Sequence, residues 1–166
     1  MGRRLRALLF AAVLLCSAGC DHLTKQLAGD LLSASSPISL AAGTVRFELT
    51  QNPGGFLSLG TGLPSQARDV LFIAIVPLGL LVACALALRG VSLSRRAVLG
   101  LGLVAGGGVA NWFDRLTHGG AVTDFVSLGL GPFRTGIFNV ADVWVIAGAL
   151  LVLLTMRSGQ AARTAA

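Results

Sequence analysis

The sequence holds only seven acidic residues, and they are unevenly placed. Asp30 and Asp69 stand beside helix-end signals, and Glu48 falls in an alternating stretch where it faces solvent, so none of these three calls for a function. Asp21 and Lys25 stand at i, i+4, a spacing that pairs them on one helix face. Asn111, Asp114 and Arg115 stand at i, i+3 and i+4, and Asn139 and Asp142 at i, i+3. Asp124 lies between Thr123 and Phe125 in an apolar stretch, and Asp142 between Ala141 and Val143; neither has a cation within a helical turn. Buried charges are normally paired. Asp21–Lys25 and Asp114–Arg115 therefore read first as structural ion pairs, whereas Asp124 and Asp142 are left to be explained.

Two carboxylates in an apolar, partly dry site suggest one chemistry. Like charges a few ångströms apart do not both ionise, so the pair shares a proton. One carboxylate acts as general base on a water; its protonated partner polarises a scissile carbonyl and later helps to protonate the leaving amine. Competing machinery has little support. The two histidines are His22 and His118, and there is no HExxH, Gly-x-Ser-x-Gly or Walker loop. A serine or cysteine nucleophile has no evident base. A zinc site from Cys16, Cys20 and His22 would point ligands into lipid or helix packing, so neither metal nor cofactor is expected. Cys16, Cys20 and Cys84 are odd in number and fall in apolar windows, so they are expected as buried thiols rather than disulfides.

The elements that position these residues follow from composition. Hydrophobic residues make up 54% and charged residues 12%, against about 25% charged in an ordinary soluble domain. A disordered tail, a nucleic-acid-binding arm and a common water-soluble enzyme are excluded. The net charge of +6 comes from basic residues set singly or in short groups between apolar runs, which is a topology signal and not a nucleic-acid one. Windows 7–20, 70–88, 97–113 and 143–156 lack Asp, Glu, Lys and Arg. A spanning helix needs about 20 apolar residues, or about 17 at the short end. The middle two windows suffice alone. The first can extend only through Asp21 and Lys25 or back through Arg6, and the last back through Asp142 to Ile137; if both are spans, Asp21 and Asp142 lie at membrane depth or at its edge, where an ionisable group is costly and marks a functional site.

Arg3, Arg4, Arg6, Arg89, Arg95, Arg96, Arg157 and Arg163 fall on one side of this arrangement. Arg46, Arg68, Arg115 and Arg134 fall on the other, with Lys25 at the boundary. Both termini are thus expected in the cytoplasm, with 29–69 and 114–136 facing outward. Ser17-Ala18-Gly19-Cys20 resembles the end of a lipoprotein signal, but three further spans favour an uncleaved first helix. Gly102 and Gly106 form a small-xxx-small pair that admits a close helix neighbour. Outside the spans, 44–50 alternates like a strand, 51–55 carries turn residues and 56–59 could return, so a hairpin over 44–59 is expected. A second short strand is expected at 121–126, with a glycine-rich bend at 129–132. The polar groups singled out above then collect at the outer membrane face.

Four blocks of sequence resemble the lipoprotein signal peptidases (signal peptidase II), intramembrane aspartic proteases of bacteria. They are Asp21-His22-Leu23-Thr24-Lys25, Asn52-Pro53-Gly54-Gly55-Phe56, the stretch from Gly107 through Asn111-Trp112-Phe113-Asp114-Arg115 to Val122-Thr123-Asp124-Phe125, and Phe138-Asn139-Val140-Ala141-Asp142. The resemblance implies an all-α polytopic membrane protein. Four transmembrane helices, at about 5–26, 70–88, 97–113 and 137–156, would carry a small outward-facing β-sheet (cradle) at about 40–62 and a short surface helix, all within a single membrane-embedded peptidase domain over 1–166. It implies that Asp124 and Asp142 are the catalytic dyad. Asn111, Arg115 and Asn139 would support the dyad and hold the substrate backbone. Asp21, Lys25 and Asn52 would belong to the substrate-facing or structural polar shell, and Asp114 would secure the turn after the third span.

The implied partners are membrane lipids and prolipoproteins whose cysteine carries diacylglycerol, cut just before that cysteine at the bacterial cytoplasmic (inner) membrane. A lipidated cysteine leaves the bilayer only at about 0.8 kcal/mol per buried CH₂, so such a protease must work at the membrane surface. The chain departs from the family pattern at Pro53, Ala110 and Val143, none of which removes a proposed catalytic group. Two other classes fit the same composition: a non-catalytic scaffold that binds lipoproteins or signal peptides, and a small proton-coupled transporter. A transporter would show internal repeats and a polar path across the bilayer, whereas here the polar groups gather at one end.

Overall fold

The structure is a computed structural model that describes residues 1–32, 37–89 and 93–164, the side chains at 83, 86–88 and 156–164 excepted. The side chains of Arg157 and Arg163, counted above for orientation, lie outside the described residues. Four helical rods form where the apolar windows predict them. They are α1 (Arg3–Leu31), a composite rod, α4 (Arg95–Thr117) and α5 (Val140–Thr164). The composite rod joins α2 (Ser65–Asp69) through a π-helical stretch, Val70–Ile75, to α3 (Val76–Leu88). Three of the rods, Arg3–Leu31, Ser65–Val82 and Arg95–Thr117, are long and apolar enough to cross a membrane, and α5 contributes a shorter apolar stretch, Val140–Thr155.

Solvent preference is inverted relative to a water-soluble protein. Leu8 and Leu15 are 68% exposed on the outside of α1, while Asp21 and Asp124 are 1% exposed within. Such an exterior suits hydrocarbon, and such an interior demands that every polar group find a partner. The cysteines follow the exterior: Cys16 and Cys20 are exposed on α1 and Cys84 is half-buried, all three as free thiols. The expectation that all three would be buried is corrected, because the face of α1 that packs inward carries Ser17, Asp21 and Lys25 instead.

Glycines bring the rods together. α4 packs on α1 and on α5. A methyl at Gly106 would lie 1.9 Å from Ser17 Oγ, and one at Gly107 would lie 2.5 Å from the Ala141 carbonyl oxygen. Gly100 and Gly148 face each other's carbonyl oxygens just as closely. The composite rod docks differently. Pro77 has no N–H, so it cannot bond the carbonyl of Ile73, its i−4 neighbour. That oxygen instead accepts the Trp112 indole N–H of α4 at 3.2 Å.

Outside the helices lies a four-stranded antiparallel sheet in the order β1 (Ile38–Leu40), β2 (Val45–Asn52), β3 (Val122–Leu130), β4 (Phe133–Arg134). The sheet corrects the hairpin expected over 44–59. β2 pairs on one side with β1 and on the other with β3, across which Thr50 opposes Asp124 and Asn52 opposes Val122. Residues 56–59 do not return as a strand. Asn52 accepts the Gly54 N–H at 2.9 Å and donates to the Gly55 carbonyl at 3.0 Å, and this side-chain turn coils the chain into a 3-10 turn, Phe56–Ser58, closed by Gly55 N–H to Leu59 O at 2.6 Å.

The expected strand at 121–126 is longer, and the bend at 129–132 is the β3–β4 turn, with Gly131 at φ +58°. β3 also bulges. The N–H groups of Phe125 and Val126 both donate to the Phe138 carbonyl, at 3.1 and 3.0 Å, which re-aims the strand beside Asp124. The same bridge corrects the start of the fourth helix. Phe138 is held in extended pairing, so α5 begins at Val140 rather than Ile137, and Asp142 falls in its first turn.

Candidate active site

Four elements, α5, β3, β2 and α4, deliver the two aspartates and their nearest neighbours. Asn139 precedes α5, and its Oδ1 accepts the Asp142 N–H at 2.9 Å while Asp142 Oδ2 accepts the Asn139 N–H at 3.3 Å. This reciprocal capping box satisfies donors that a helix start leaves unpaired. A third N–H there, from Ala141, donates to Asp21 Oδ1 at 2.7 Å. The Asn139 NH₂ then reaches β3 and donates to Asp124 Oδ1 at 2.7 Å. One residue thus bonds both aspartates. The other Asp124 oxygen accepts from Asn52 Nδ2 of β2 at 2.8 Å, and the other Asp142 oxygen accepts from Asn111 Nδ2 of α4 at 2.9 Å.

Behind this pair lies a charged layer. Lys25 Nζ ion-pairs with Asp21 at 2.7 Å and with Asp114 at 2.9 Å, and donates to Asn111 Oδ1 at 3.0 Å. Asp114 also accepts the Thr123 N–H at 3.0 Å, which ties the end of α4 to the start of β3 next to Asp124. Arg115 spans from the Asn111 carbonyl (3.0 Å) to the Gly54 carbonyl (2.7 Å), with its guanidinium 4.5 Å over the Phe72 ring. All nine residues singled out in the sequence therefore converge: Asp124, Asp142, Asn139, Asn111, Asn52, Lys25, Asp21, Asp114 and Arg115. Each is buried.

Burial is the main reason the Asp124 carboxyl is pushed up from its ordinary value to about 7; the Asn52 hydrogen bond opposes this, and the charge of Asp142 adds to it. Near neutral pH it is thus poised to hold or release a proton. Beside the aspartates an apolar groove of about 290 Å³ runs along α5, lined by Phe56, Leu57, Phe138, Val143, Ile146 and Leu150. Phe138 and Val143 flank Asn139 and Asp142 in sequence, so the groove leads directly away from the polar centre.

The sequence did not point to several contributors. The backbone of Gly54 serves both Asn52 and Arg115, and Gly55 and Ala141 serve through a carbonyl and an N–H. The Asn-Pro-Gly-Gly run signalled a turn, and a turn built on an asparagine side chain could have drawn attention to Gly54. Phe72 sits in an apolar run that gave no signal. Among the described residues, no group of three or more His, Cys, Asp or Glu could hold a metal ion.

A family model described as Signal peptidase (SPase) II matches residues 13–157. The lipoprotein signal peptidase of Rhodococcus jostii is 36% identical over 160 residues, which covers 93% of this chain and 74% of that one. That of Mycobacterium tuberculosis is 34% identical over 162 residues (92% and 71%), and that of Chlorobium phaeobacteroides is 31% identical over 142 residues (81% of each). Two solved structures of bacterial membrane enzymes share the fold. One has a TM-score of 0.78 at 16% identity, covering 91% of this chain and 88% of its own. The other has a TM-score of 0.74 at 18% identity, covering 89% and 91%. A profile match over most of the chain, joined to relatives above 30% identity across nearly its full length, places this protein in the signal peptidase II family, the peptidases that process lipoproteins.

Proposed function

We propose that the chain is an intramembrane aspartic endopeptidase whose dyad is Asp124 and Asp142. It removes signal peptides from diacylglyceryl-modified prolipoproteins by cutting before the lipidated cysteine. The observation that carries this reading is the double engagement of Asn139, which bonds Asp124 through its side chain and Asp142 through its backbone. Two carboxylates bound to one residue in a dry site hold a single proton between them. The ionised member takes a proton from water as the oxygen attacks the scissile carbonyl carbon. The neutral member donates a hydrogen bond to the carbonyl oxygen. Collapse of the tetrahedral species breaks the C–N bond, and the amine leaves with a proton returned from the pair.

Asn111, Asn52 and Asn139 hold the dyad, and Arg115 fixes the loop at Gly54 against which a substrate backbone lies. All four apolar rods span the bilayer as one membrane-embedded peptidase domain, with both termini in the cytoplasm and the sheet and dyad at the outer face of the inner membrane. The groove beside Asp142 supports a lipid-bearing substrate, because acyl chains can lie against Ile146 and Leu150 while the polar backbone meets the dyad.

The test is turnover of a purified diacylglyceryl-modified precursor by wild type, Asp124→Asn and Asp142→Asn. Each variant is expected to insert normally and to lose about 10²–10⁴-fold or more in rate. Wild-type turnover by either variant refutes the dyad. An inactive wild type refutes the peptidase reading and favours a non-catalytic scaffold.

A further inference from the structure

The two aspartates are not equivalent in their surroundings. Asp142 lies in the first turn of α5, where the helix dipole and the N–H of Asn139 both favour negative charge. Asp124 lies on a strand, without a helix end behind it, and meets two neutral amides. Lys25 adds a second asymmetry. An ammonium has three donors and no acceptor. All three are used here, on Asp21, Asp114 and the Oδ1 of Asn111. Asn111 Oδ1 takes a further bond from Asn139 Nδ2 at 3.0 Å. With its carbonyl end so held, the Asn111 amide has only its NH₂ to offer Asp142, at 2.9 Å.

We propose that Lys25 is a positioning residue which, through Asn111, keeps Asp142 as the ionised base and leaves the shared proton on Asp124 as the acid. The inference rests on the aspartic reading above and assigns roles within it. The charges around Lys25 are Asp21 on its own helix, Asp114 and Arg115 on α4, Asp124 on β3 and Asp142 on α5, with His118 at the rim 4.0 Å from Asp114. Lys25 and Arg115 balance Asp21 and Asp114, so the single negative charge of the dyad is the one left over. Without Lys25, the Asn111 amide can turn its oxygen toward Asp142 and repel the carboxylate. A nearby cation favours the ionised form of a carboxylate, so its removal carries the acid limb of the rate profile to higher pH.

The test compares pH profiles of kcat, with lipidated precursor, for wild type, Lys25→Met and Lys25→Arg. Lys25→Met is expected to shift the acid limb upward by about one pH unit or more, with KM little changed, and Lys25→Arg to restore most of the profile. A profile superimposable on wild type, with only the yield of protein reduced, overturns the inference and leaves Lys25 a purely structural cation. If Lys25→Met does not accumulate as folded protein, the double variant Asp21→Asn/Lys25→Met, which removes one charge of each sign, gives the same reading.

Infrared spectra of isotope-edited protein just below neutral pH provide a second measurement that leaves Lys25 in place. A protonated-carboxyl stretch that is lost in Asp124→Asn and kept in Asp142→Asn supports the assignment, and the reverse pattern overturns it. The two readings fail separately. Active dyad variants sink the aspartic chemistry, whereas inactive dyad variants with an unshifted Lys25→Met profile sink only this assignment.

Discussion

Asp124 carries the clearest pH consequence at the scale of single residues. Its carboxyl is held up to about 7 chiefly by burial, so the folded protein keeps a proton that the unfolded chain releases near pH 4. Folding therefore gains from this group fully below about pH 4 and loses that gain as pH rises through about 7. Thermal midpoints in detergent are expected to fall across this window, and Asp124→Asn is expected to flatten the fall. Turnover by the wild type is expected to decline above about pH 7, as the last shared proton leaves. An unchanged slope of midpoint against pH in Asp124→Asn would contradict this account.

Arg115 is the second residue whose chemistry resists substitution. Its fork reaches two carbonyls, of Asn111 and Gly54, while its plane lies on Phe72. A lysine keeps the charge but loses both the fork and the stacking. Arg115→Lys is expected to reduce kcat/KM by about tenfold, which corresponds to ~1.4 kcal/mol, as measured with the same lipidated precursor.

Among the elements, the seam between α4 and α5 controls where Asp142 stands. Gly107 faces the Ala141 carbonyl, one residue before Asp142, and a methyl there would come within 2.5 Å of that oxygen. Backbone against backbone leaves no flexible side chain to yield. Gly107→Ala is expected to destabilise the protein by about 1–3 kcal/mol and to lower kcat in the protein that still folds, because α5 moves and takes the dyad geometry with it. Gly19, with open space around it, provides the control: Gly19→Ala is expected to change neither quantity. Equal behaviour of the two variants in thermal melts and turnover would remove the seam from the account.

The whole molecule turns the usual arrangement of charge inside out, with leucines on the surface and carboxylates within, which fits a membrane-embedded chain. Its orientation is a separate matter, argued from arginines. Arg3, Arg4 and Arg6 open α1, Arg89 follows α3, and Arg95 and Arg96 open α4, while Arg46 and Arg134 lie on the sheet and Arg68 in α2, a distribution from which the first group is expected in the cytoplasm. In a background lacking the three native cysteines, a cysteine at Arg134 is expected to react with an impermeant thiol reagent added to intact cells. A cysteine at Arg95 is expected to react only after lysis. The opposite labelling pattern would place the dyad on the cytoplasmic side.

What local pattern alone fixed is clear at each scale. Charge-free windows located the helical rods, since twenty or so apolar residues have few other uses. The i, i+3 and i, i+4 spacings put Asn111 with Asp114 and Arg115 on one helix face, because a helix turn repeats at that interval, and brought Asn139 within capping reach of Asp142. The turn after Asn52 was legible from its glycines. What the tertiary structure decided is everything that depends on contacts between distant segments. Residues 56–59 carry a strand-like pattern, yet β2 found its partners in β1 and β3, because the Asn52 side chain coiled the following loop away. The fourth helix starts at Val140 because Phe138 was captured by β3. The Asn111 amide faces Asp142 because Lys25, from another helix, and Asn139 both hold its oxygen. Alternation and periodicity report a segment's own geometry, while pairing register, helix caps and amide orientation are settled by whichever remote donor or acceptor arrives within 3 Å.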